Sequence, residues 1–347
     1  MELFVSGRLC LFGEHSDWAG EYRQINPQLE AGAAVVVGTD QGIYARVAQY
    51  SHLKFKSLHA SQILKLAMEK TLLQEMAQTD HFYSYVAGVA YQALQRYGVG
   101  GIAIDNYCMD LPLQKGLSSS AAICVLTARA FNRLYNLGLD LAEEMDLAYW
   151  GEKTTGSQCG RLDQVCAYGK QPVLMTFDGD RYSTHPITVG KDLNFLVVDL
   201  AGSKDTQTIL SQLHQCYPYA RNETARGVQS YLGKLNASFV ARAVMALNRG
   251  DAAELGLLMR QVQNQFDRYV APAVPHQLNA PLLHRLLDYE PLQAFIYGGK
   301  GVGSQGDGTA QLIARNLSSQ ARAIAIIERD FPRMQCFKLN IPRQLSS

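Results

Sequence analysis

The segment LPLQKGLSSSAAICVLTARAFNRL (residues 111–134) combines a proline, a glycine and three consecutive serines in front of a long apolar helix pattern. Ser118 to Ser120 fall in the expected first turn of that helix, where backbone N–H groups lack partners and the positive end of the helix dipole lies. A phosphate at this turn would also meet the serine hydroxyls and Lys115. The pattern therefore favours phosphate binding, with an ordinary serine N-cap as the alternative.

Two other motifs of glycine- and serine-rich turns do not fit the chain. The nucleotide-binding pattern GxxxxGK[ST] does not occur in the sequence. A nucleophilic serine in GxSxG would need a glycine where Ser120 stands. If the chain binds ATP, it uses a different loop.

A second candidate site lies near the amino terminus, in SGRLCLFGEHSDWAG (residues 6–20). A strand-like apolar run and a glycine lead into Glu14, His15 and Asp17, three ionisable side chains within four positions. A hydrophobic core does not require such a cluster, so these residues are candidates for binding or catalysis. A helix N-terminus with solvated charges is the alternative.

The composition predicts a soluble globular chain. Its 347 residues suggest two domains, and 47% hydrophobic and 18% charged residues are ordinary values. A net charge of +1 gives no basic field for nucleic acid or anionic membranes. No apolar run approaches the length of a membrane span, and the amino terminus lacks a signal-peptide pattern. Seven cysteines without a CxxC pair indicate reduced thiols and a cytoplasmic location.

Strand-like and helix-like segments alternate along the chain, which predicts an α+β fold in two domains. Strand patterns at residues 9–12, 32–38 and 42–49 precede helical patterns at 61–78 and 82–97. A new series of strands and helices begins near Val189. We therefore predict domains at residues 1–188 and 189–347.

Two of these segments together resemble a known family. Pro112 to Ala122, PxxxGLSSSAA, resembles the phosphate loop of the GHMP small-molecule kinases, and Gly7-Arg8 with GEHSDWxG at 13–20 resembles their galactokinase signature. The resemblance is closest to galactokinase and L-arabinokinase-like sugar kinases. It implies a two-domain GHMP kinase fold, with an amino-terminal ATP-binding domain like domain 2 of ribosomal protein S5 and a ferredoxin-like carboxy-terminal domain. It also implies that ATP contacts Lys115, Gly116, Leu117, Ser118, Ser119, Ser120 and Ala121.

The resemblance further implies a sugar-binding role for the amino-terminal cluster. Glu14, His15 and Asp17 match the substrate residues of galactokinase-like members, and Gly160 matches a substrate-facing glycine in CGRLDQVCAYG (residues 159–169). Carboxylates and an imidazole suit a polyol, because they form directional hydrogen bonds to vicinal hydroxyls. Mevalonate kinases carry small apolar residues where this chain has Ser16-Asp17-Trp18, so the difference favours a hydroxyl-rich substrate.

The catalytic and metal residues are also assigned by resemblance. Asp163 matches the catalytic base, and Arg8 would lie beside it, keep its carboxylate ionised and counter the charge of the transferring phosphoryl group. Mg²⁺ would bridge the ATP phosphates, held by Ser120 or Ser119 and by Glu152. A solvated helix glutamate is the alternative for Glu152.

The third family motif, a glycine-rich turn, is atypical in this chain. YGGKGVGSQGDGTAQLIA (residues 297–314) is interrupted by Lys300, Gln305 and Asp307. It contains GxGxxG at residues 301–306, but a dinucleotide site would need a helix next, and TAQLIA has a strand pattern.

These inferences converge on an ATP-dependent kinase that phosphorylates a sugar hydroxyl, most simply a galactokinase-like sugar 1-kinase. A mevalonate kinase-like enzyme and a non-catalytic ligand-binding relative are the alternatives. We expect ATP, Mg²⁺ and a small sugar as ligands, no nucleic-acid or membrane partner, and a monomer or homodimer. The central expectation is that the acid-histidine cluster and the serine turn face one crevice with Asp163 between them.

Overall fold

The computed structural model describes residues 1–58, 63–111, 117–157 and 159–344. The strands in chain order are β1 (Glu2–Phe12), β2 (Gly32–Tyr50), β3 (His52–Lys56), β4 (Ile63–Ala67), β5 (Gly101–Met109), β6 (Val173–Asp178), β7 (Arg181–Pro186), β8 (Leu193–Asp199), β9 (Ile296–Gly301), β10 (Thr309–Ala314) and β11 (Gln335–Ile341). The helices are α1 (Ser16–Glu21), α2 (Lys70–Ala77), α3 (Ser84–Tyr97), α4 (Ser119–Tyr135), α5 (Leu141–Thr154), α6 (Thr206–His214), α7 (Glu223–Ser230), α8 (Asn236–Arg249), α9 (Ala252–Tyr269), α10 (Pro275–Leu278), α11 (Pro281–Leu287) and α12 (Leu317–Asp330).

The chain forms two compact units. Unit 1 contains Met1–Arg8 and Val37–Lys170, and unit 2 contains Leu9–Val36 and the described residues from Gln171 onward. The divisions fall inside β1 and β2, so both strands contribute to both units. The boundary at Val189 lies within unit 2 and stays a prediction about the domains.

Unit 1 places helices against a sheet in the order β4-β3-β5-β2. The β3–β5 pair is parallel, whereas β3–β4 and β5–β2 are antiparallel. The helix α3 packs against α4 and α5 with an almost continuous buried stretch, Val86 to Ala90. Helix α5 begins with a capping box in which Asp140 and Glu143 bond each other's backbone N–H groups.

A buried ion pair ties the helices of unit 1 to the turn that carries Asp163. Arg129 of α4 donates to Glu144 of α5 at 2.9 Å and to the carbonyl oxygen of Ala167 at 2.8 Å. Ala167 belongs to a short 3₁₀ helix, Asp163–Tyr168. A buried charge is tolerated only when it is paired and hydrogen-bonded, so this arrangement fixes the turn relative to both helices.

The helix predicted over residues 61–78 is wrong in its first half. Residues 63–67 form β4, with Leu64 opposite Phe55 of β3, and the helix α2 begins only at Lys70. In this segment Leu64 is buried while Ile63 and Lys65 are exposed, which is the alternation of a strand. The spacing of apolar residues in this short run fits both a helix and a strand, and the pairing with β3 makes it a strand. The runs predicted as two strands at 32–38 and 42–49 form one strand, β2.

Unit 2 contains an antiparallel sheet in the order β11-β8-β10-β9. The chain order strand, helices, strand, strand, helix, strand matches the ferredoxin-like βαββαβ arrangement. One face is covered by α9, which packs on β9. The core residues Leu196, Val198, Leu312 and Ile327 are fully buried between the sheet and its other helices.

Unit 2 also includes the pairs β2–β6 and β6–β7 and the short helix α1. Among residues 1–58, 63–111, 117–157 and 159–344, no helix has the length and hydropathy needed to cross a membrane.

Candidate active site

Asp163 is oriented by two side chains of unit 1. Its Oδ1 accepts a hydrogen bond from Arg8 Nε at 2.9 Å, a second from Arg8 Nη2, and one from Ser118 Oγ at 2.7 Å. The Asp163 side chain is 21% exposed, and no hydrogen bond from a described residue reaches Oδ2. One carboxylate oxygen is thus fixed by a charged and a neutral donor, and the other is open to a ligand.

The opening motif and the serine turn meet directly at Gly7 and Arg8. The Arg8 backbone N–H donates to the carbonyl oxygen of Leu117 at 3.0 Å. A Cβ on Gly7 would lie 2.8 Å from that same oxygen and 2.4 Å from the side chain of Leu111, so the approach requires glycine. The glycine before Arg8 therefore lets β1 approach the serine turn closely enough for Arg8 to reach Asp163.

Ser118 does not act as an ordinary N-cap, which was the alternative for this turn. It stands at the N-cap position of α4, but its side chain makes no capping hydrogen bond and donates to Asp163 instead. Its backbone is left-handed, with φ of 55°, a conformation that costs a serine about 1–2 kcal/mol. Such strain is typical of functional positions.

The rest of the predicted ATP loop surrounds the start of α4. Leu117 and Ala121 are buried, whereas Ser119 and Ser120 are half-buried in the first turn. The backbone N–H groups of this turn have no intrahelical partner. Lys115 and Gly116 lie outside the described residues. Gly160 is half-buried, three positions before Asp163.

Glu152 and Ser120, the predicted metal ligands, are in contact. The Glu152 carboxylate accepts a hydrogen bond from Gln164 Nε2 at 2.9 Å, and the Ser120 side chain lies close enough to favour its ionised form. The residue is 2% exposed, and burial, with a smaller effect of the nearby Asp163 carboxylate, raises the pKa of Glu152 to about 7. A solvated helix glutamate, the alternative for this residue, is therefore wrong.

The substrate residues of the opening motif lie in unit 2, where Glu14 forms a buried ion pair. Lys300 of β9 donates to Glu14 Oε1 and, at 3.0 Å, to the carbonyl oxygen of Gly301. The side chains of Lys300 and Glu14 are 0% and 6% exposed. The Glu14 carboxylate therefore already has a charged partner on one oxygen.

His15 is held as a neutral imidazole at the start of α1. Its Nδ1 accepts a hydrogen bond from Trp18 Nε1 at 3.2 Å, so we assign the ring proton to Nε2, which is buried and has no hydrogen-bond partner among the described residues. Burial, assisted by Lys204 and His214, lowers the pKa of His15 to about 3. Like Ser118, His15 has a left-handed backbone, with φ of 69°. Asp17 is 9% exposed in the first turn of the same helix.

The predicted residues thus form two clusters, one in each unit. Arg8, Ser118, Ser120, Glu152 and Asp163 are joined in unit 1, while Glu14 and His15 are held by residues of β9 and α1 in unit 2. The catalytic, substrate and metal roles of these residues stay predictions.

The atypical glycine-rich segment is structural over much of its length. Gly298 and Gly301 belong to β9, and a Cβ on Gly298 would lie 2.1 Å from the carbonyl oxygen of Gly256, so the glycine lets α9 approach the strand. Lys300 pairs with Glu14, and Asp307 accepts from the backbone N–H groups of Leu282 and Leu283 at the start of α11. Residues 309–314 form a strand, so the strand predicted after the GxGxxG pattern is confirmed.

Two residues that position the clusters were missed by sequence reasoning. Gln164 donates an amide hydrogen bond to Glu152. The signal in the sequence was its position directly after the predicted catalytic residue Asp163. The pairing of Lys300 with Glu14 joins positions 286 apart in the chain. The available signal was a lysine inside an otherwise small and apolar strand.

Comparisons with known proteins bear on this geometry. Residues 84–170 match the family model described as the GHMP kinases N terminal domain. The chain is related to the GHMP kinases. The matched residues include the serine turn at the start of α4, Glu152 and Asp163. The resemblance noted in the sequence is therefore confirmed.

Among curated proteins, this GHMP kinase relative is similar to galactokinases. It is 30% identical over 195 residues to the galactokinase of Pyrococcus furiosus, covering 55% of this chain and 50% of that protein. It is 29% identical over 204 residues to the galactokinase of Thermococcus kodakarensis, covering 57% of this chain and 52% of that protein. The aligned region spans about half the length of these relatives.

Solved structures confirm the GHMP kinase fold over nearly the whole chain. The Methanococcus jannaschii mevalonate kinase superposes with a TM-score of 0.73 at 17% identity, covering 99% of this chain and 98% of that chain. The Lactococcus lactis galactokinase complexed with galactose also has a TM-score of 0.73, at 18% identity, with coverage of 99% and 93%. The predicted two-domain α+β fold is therefore correct.

Proposed function

We propose that the protein is an ATP-dependent kinase that transfers the γ-phosphoryl group to a hydroxyl of a sugar, as a galactokinase-like sugar 1-kinase. The observation that carries this proposal is Asp163, whose Oδ1 is held by Arg8 and Ser118 while Oδ2 is open. A sugar hydroxyl is a poor nucleophile until a base accepts its proton, and a fixed carboxylate with one open oxygen can do so. Similarity to galactokinases supports the sugar as acceptor.

In the proposed reaction Asp163 Oδ2 accepts the proton of the attacking hydroxyl. Arg8 stays charged and stabilises the negative charge that develops as the phosphoryl group transfers. The first turn of α4, with Ser118 to Ala121, would present its backbone N–H groups and the Ser119 hydroxyl to the triphosphate. Glu14, His15 and Asp17 would bind the sugar, with the neutral His15 donating from Nε2.

Ser120 and Glu152 fit a magnesium ion. A hydroxyl and a buried carboxylate are hard oxygen ligands, and Mg²⁺ commonly uses one or two protein oxygens together with phosphates and water. When bound, the ion neutralises charge on the β- and γ-phosphates. A bound divalent ion would favour the ionised form of the buried Glu152 carboxylate, whose pKa burial otherwise raises. We also propose a cytoplasmic location and a monomer or homodimer.

Incubation of the full chain with ATP, Mg²⁺ and a panel of monosaccharides and mevalonate, with ADP release as the readout, tests the proposal. We expect ADP release that depends on a sugar, and a loss of about 10²–10⁴-fold in kcat for Asp163→Asn. The exposed Asp180→Asn is the matched control and should retain activity. Release that depends only on mevalonate would favour a mevalonate kinase-like enzyme, and no release with any acceptor would favour a non-catalytic relative.

A further inference from the structure

Unit 2 contains a cavity of about 820 Å³ that none of the predicted site residues lines. One side is formed by the end of α6, the following connection and the start of α7, and the other side by Pro272 and Ala273. Cavities of this volume are typical of small-molecule sites. The cavity has room for a ligand of sugar size.

Tyr217 supplies a hydroxyl that has no protein partner in the described part of the chain. Its side chain lines the cavity and is 9% exposed. Its ring stacks on Tyr22 at 5.2 Å and meets Trp18 edge-on at 5.4 Å. Burial raises the pKa of Tyr217, so the phenol stays protonated and can donate. Because Tyr217 lines the cavity, a ligand acceptor there would replace water as the partner of this hydroxyl.

Arg221 gives the cavity a positive charge. The residue is exposed, and it forms no ion pair with any residue in the described ranges. The other polar lining residues are neutral and include Gln212, Gln215, Asn222 and Thr224; none of the lining residues is acidic. A guanidinium with no competing carboxylate in the wall favours a carboxylate or phosphate, to which it can form two parallel hydrogen bonds.

We propose that this cavity is a second ligand site that binds an anionic polyol, namely a sugar carrying a carboxylate or a phosphate group. Arg221 would bind the anionic group, while the Tyr217 hydroxyl and the amides of Gln212 and Gln215 would bind ligand oxygens. Pro272 and Ala273 supply an apolar wall for the C–H face of the ring. The proposal concerns binding alone and does not depend on phosphoryl transfer.

The cavity wall is linked to the predicted substrate residue His15 through two side chains. Tyr217 contacts Trp18, and Trp18 Nε1 donates to His15 Nδ1 at 3.2 Å. A ligand that moves the Tyr217 ring would therefore change the surroundings of the Trp18 indole. Trp18 and Trp150 are the two tryptophans of the chain, and Trp150 lies in unit 1. In a Trp150→Phe protein, the tryptophan fluorescence reports on Trp18 alone.

The test is a fluorescence titration of the full-length Trp150→Phe protein without ATP. The probes are glucuronate, galactose 1-phosphate, neutral galactose and inorganic phosphate, which separate a carboxylate sugar, a phosphate sugar, the polyol alone and the anion alone. We expect a saturable change with glucuronate or galactose 1-phosphate and weaker binding of the other two probes. Arg221→Gln should weaken binding by at least about tenfold, because it removes a charge-assisted pair. Tyr217→Phe, which keeps the ring contacts, should weaken it about fivefold.

The matched control is Arg226→Gln, which removes an exposed arginine of α7 that does not line the cavity. We expect it to bind like the parent. The proposal is wrong if Arg221→Gln leaves the Kd unchanged for both anionic sugars, which would assign the signal to the predicted substrate site. It is also wrong if no probe gives a saturable change up to about 10 mM, the range of weak but specific binding. Neither result bears on kinase activity, which the ADP assay measures separately.

Discussion

Lys300 donates a hydrogen bond to Glu14 within unit 2, and both side chains are buried. The pair connects β9 to the segment between β1 and α1, two parts of the chain separated by 286 positions. Burying two charges is costly, and the pair is retained only because each neutralises the other. The pair thereby fixes Glu14 next to His15, the residue that precedes α1.

Replacing Lys300 with methionine should destabilise the protein. Lys300→Met leaves the Glu14 carboxylate buried without its cation, and breaking a buried pair from one side typically costs about 3–5 kcal/mol. The double variant Lys300→Met/Glu14→Gln should recover most of that loss, because no uncompensated charge remains. Urea unfolding of both variants measures the difference, with the exposed Lys234→Met as a control. Equal stability of the single and double variants would show that the charge pair does not carry the effect.

Ser118 should affect catalysis through Asp163 rather than through helix capping. Ser118→Ala and Ser118→Gly both remove the donor to Asp163 Oδ1, so in the proposed reaction each should lower kcat about tenfold. Their stabilities should differ, because glycine accepts the left-handed backbone at φ of 55° and alanine does not. We expect the glycine variant to be more stable than the alanine variant by about 1 kcal/mol.

Steady-state kinetics and urea unfolding of the two Ser118 variants check this expectation. A conventional N-cap would give the opposite pattern of effects. Stability would fall while kcat stayed unchanged, since a cap stabilises the helix and does not contact the reacting groups.

A local pattern in the sequence was sufficient for the serine turn, whereas the partnership of Arg8 with Asp163 was expected from the resemblance to the GHMP kinases. A glycine, a serine run and an apolar helix lie together in the chain, and the structure brings Arg8 against Asp163 as expected. The strand β4 was missed because residues 63–67 carry an apolar spacing that fits both periods, and only the pairing with β3 decides.

Long-range pairings could not be read from local patterns. The residues around Lys300 do not indicate that it pairs with Glu14, and those around Glu14 do not indicate Lys300. Hydrophobic periodicity shows which face of an element is buried, but not which side chain that face contacts. The hydrogen-bond partner of the Ser118 hydroxyl could not be predicted from local patterns either. The same residue type caps helices and orients carboxylates, and the choice depends on where Asp163 lies after folding.

Glu152 should make stability depend on pH between about 4.5 and 7. Its pKa is about 7 in the folded protein against an ordinary value of 4.5, and a raised pKa means that the folded state holds the proton more tightly. The contribution to stability is therefore full below pH 4.5 and is lost as the pH rises through 7. The loss amounts to about 3 kcal/mol at pH 8, at 1.36 kcal/mol per pKa unit.

Glu152→Gln tests this pH dependence, because glutamine cannot ionise. Without Mg²⁺, the free energy of unfolding of the variant relative to that of the parent should be higher at pH 8 than at pH 4.5. Mg²⁺ should reduce the difference, since a bound cation favours the ionised carboxylate. The assignment fails if the two proteins keep a constant difference in stability across this range.

His15 should produce the opposite pH dependence on the acid side. Its pKa is lowered to about 3 from an ordinary value of 6.5, so the folded protein resists protonation of the buried ring. The stability that this gives is present above pH 6.5 and is lost as the pH falls toward 3. At pH 5 the loss from His15 should be about 2 kcal/mol relative to pH 7.5, at 1.36 kcal/mol per unit below 6.5.

His15→Asn removes the titrating ring and keeps a residue that accepts the left-handed backbone found at this position. The variant should lose stability at pH 7.5, because the contacts with Trp18 and Phe266 disappear, but its stability should fall less between pH 7.5 and pH 5. His276→Asn, at an exposed position of α10, serves as the control and should follow the parent profile. Parallel pH profiles for the parent and His15→Asn would mean that the ring is protonated without unfolding, and that the neutral donor assigned to it in sugar binding is wrong.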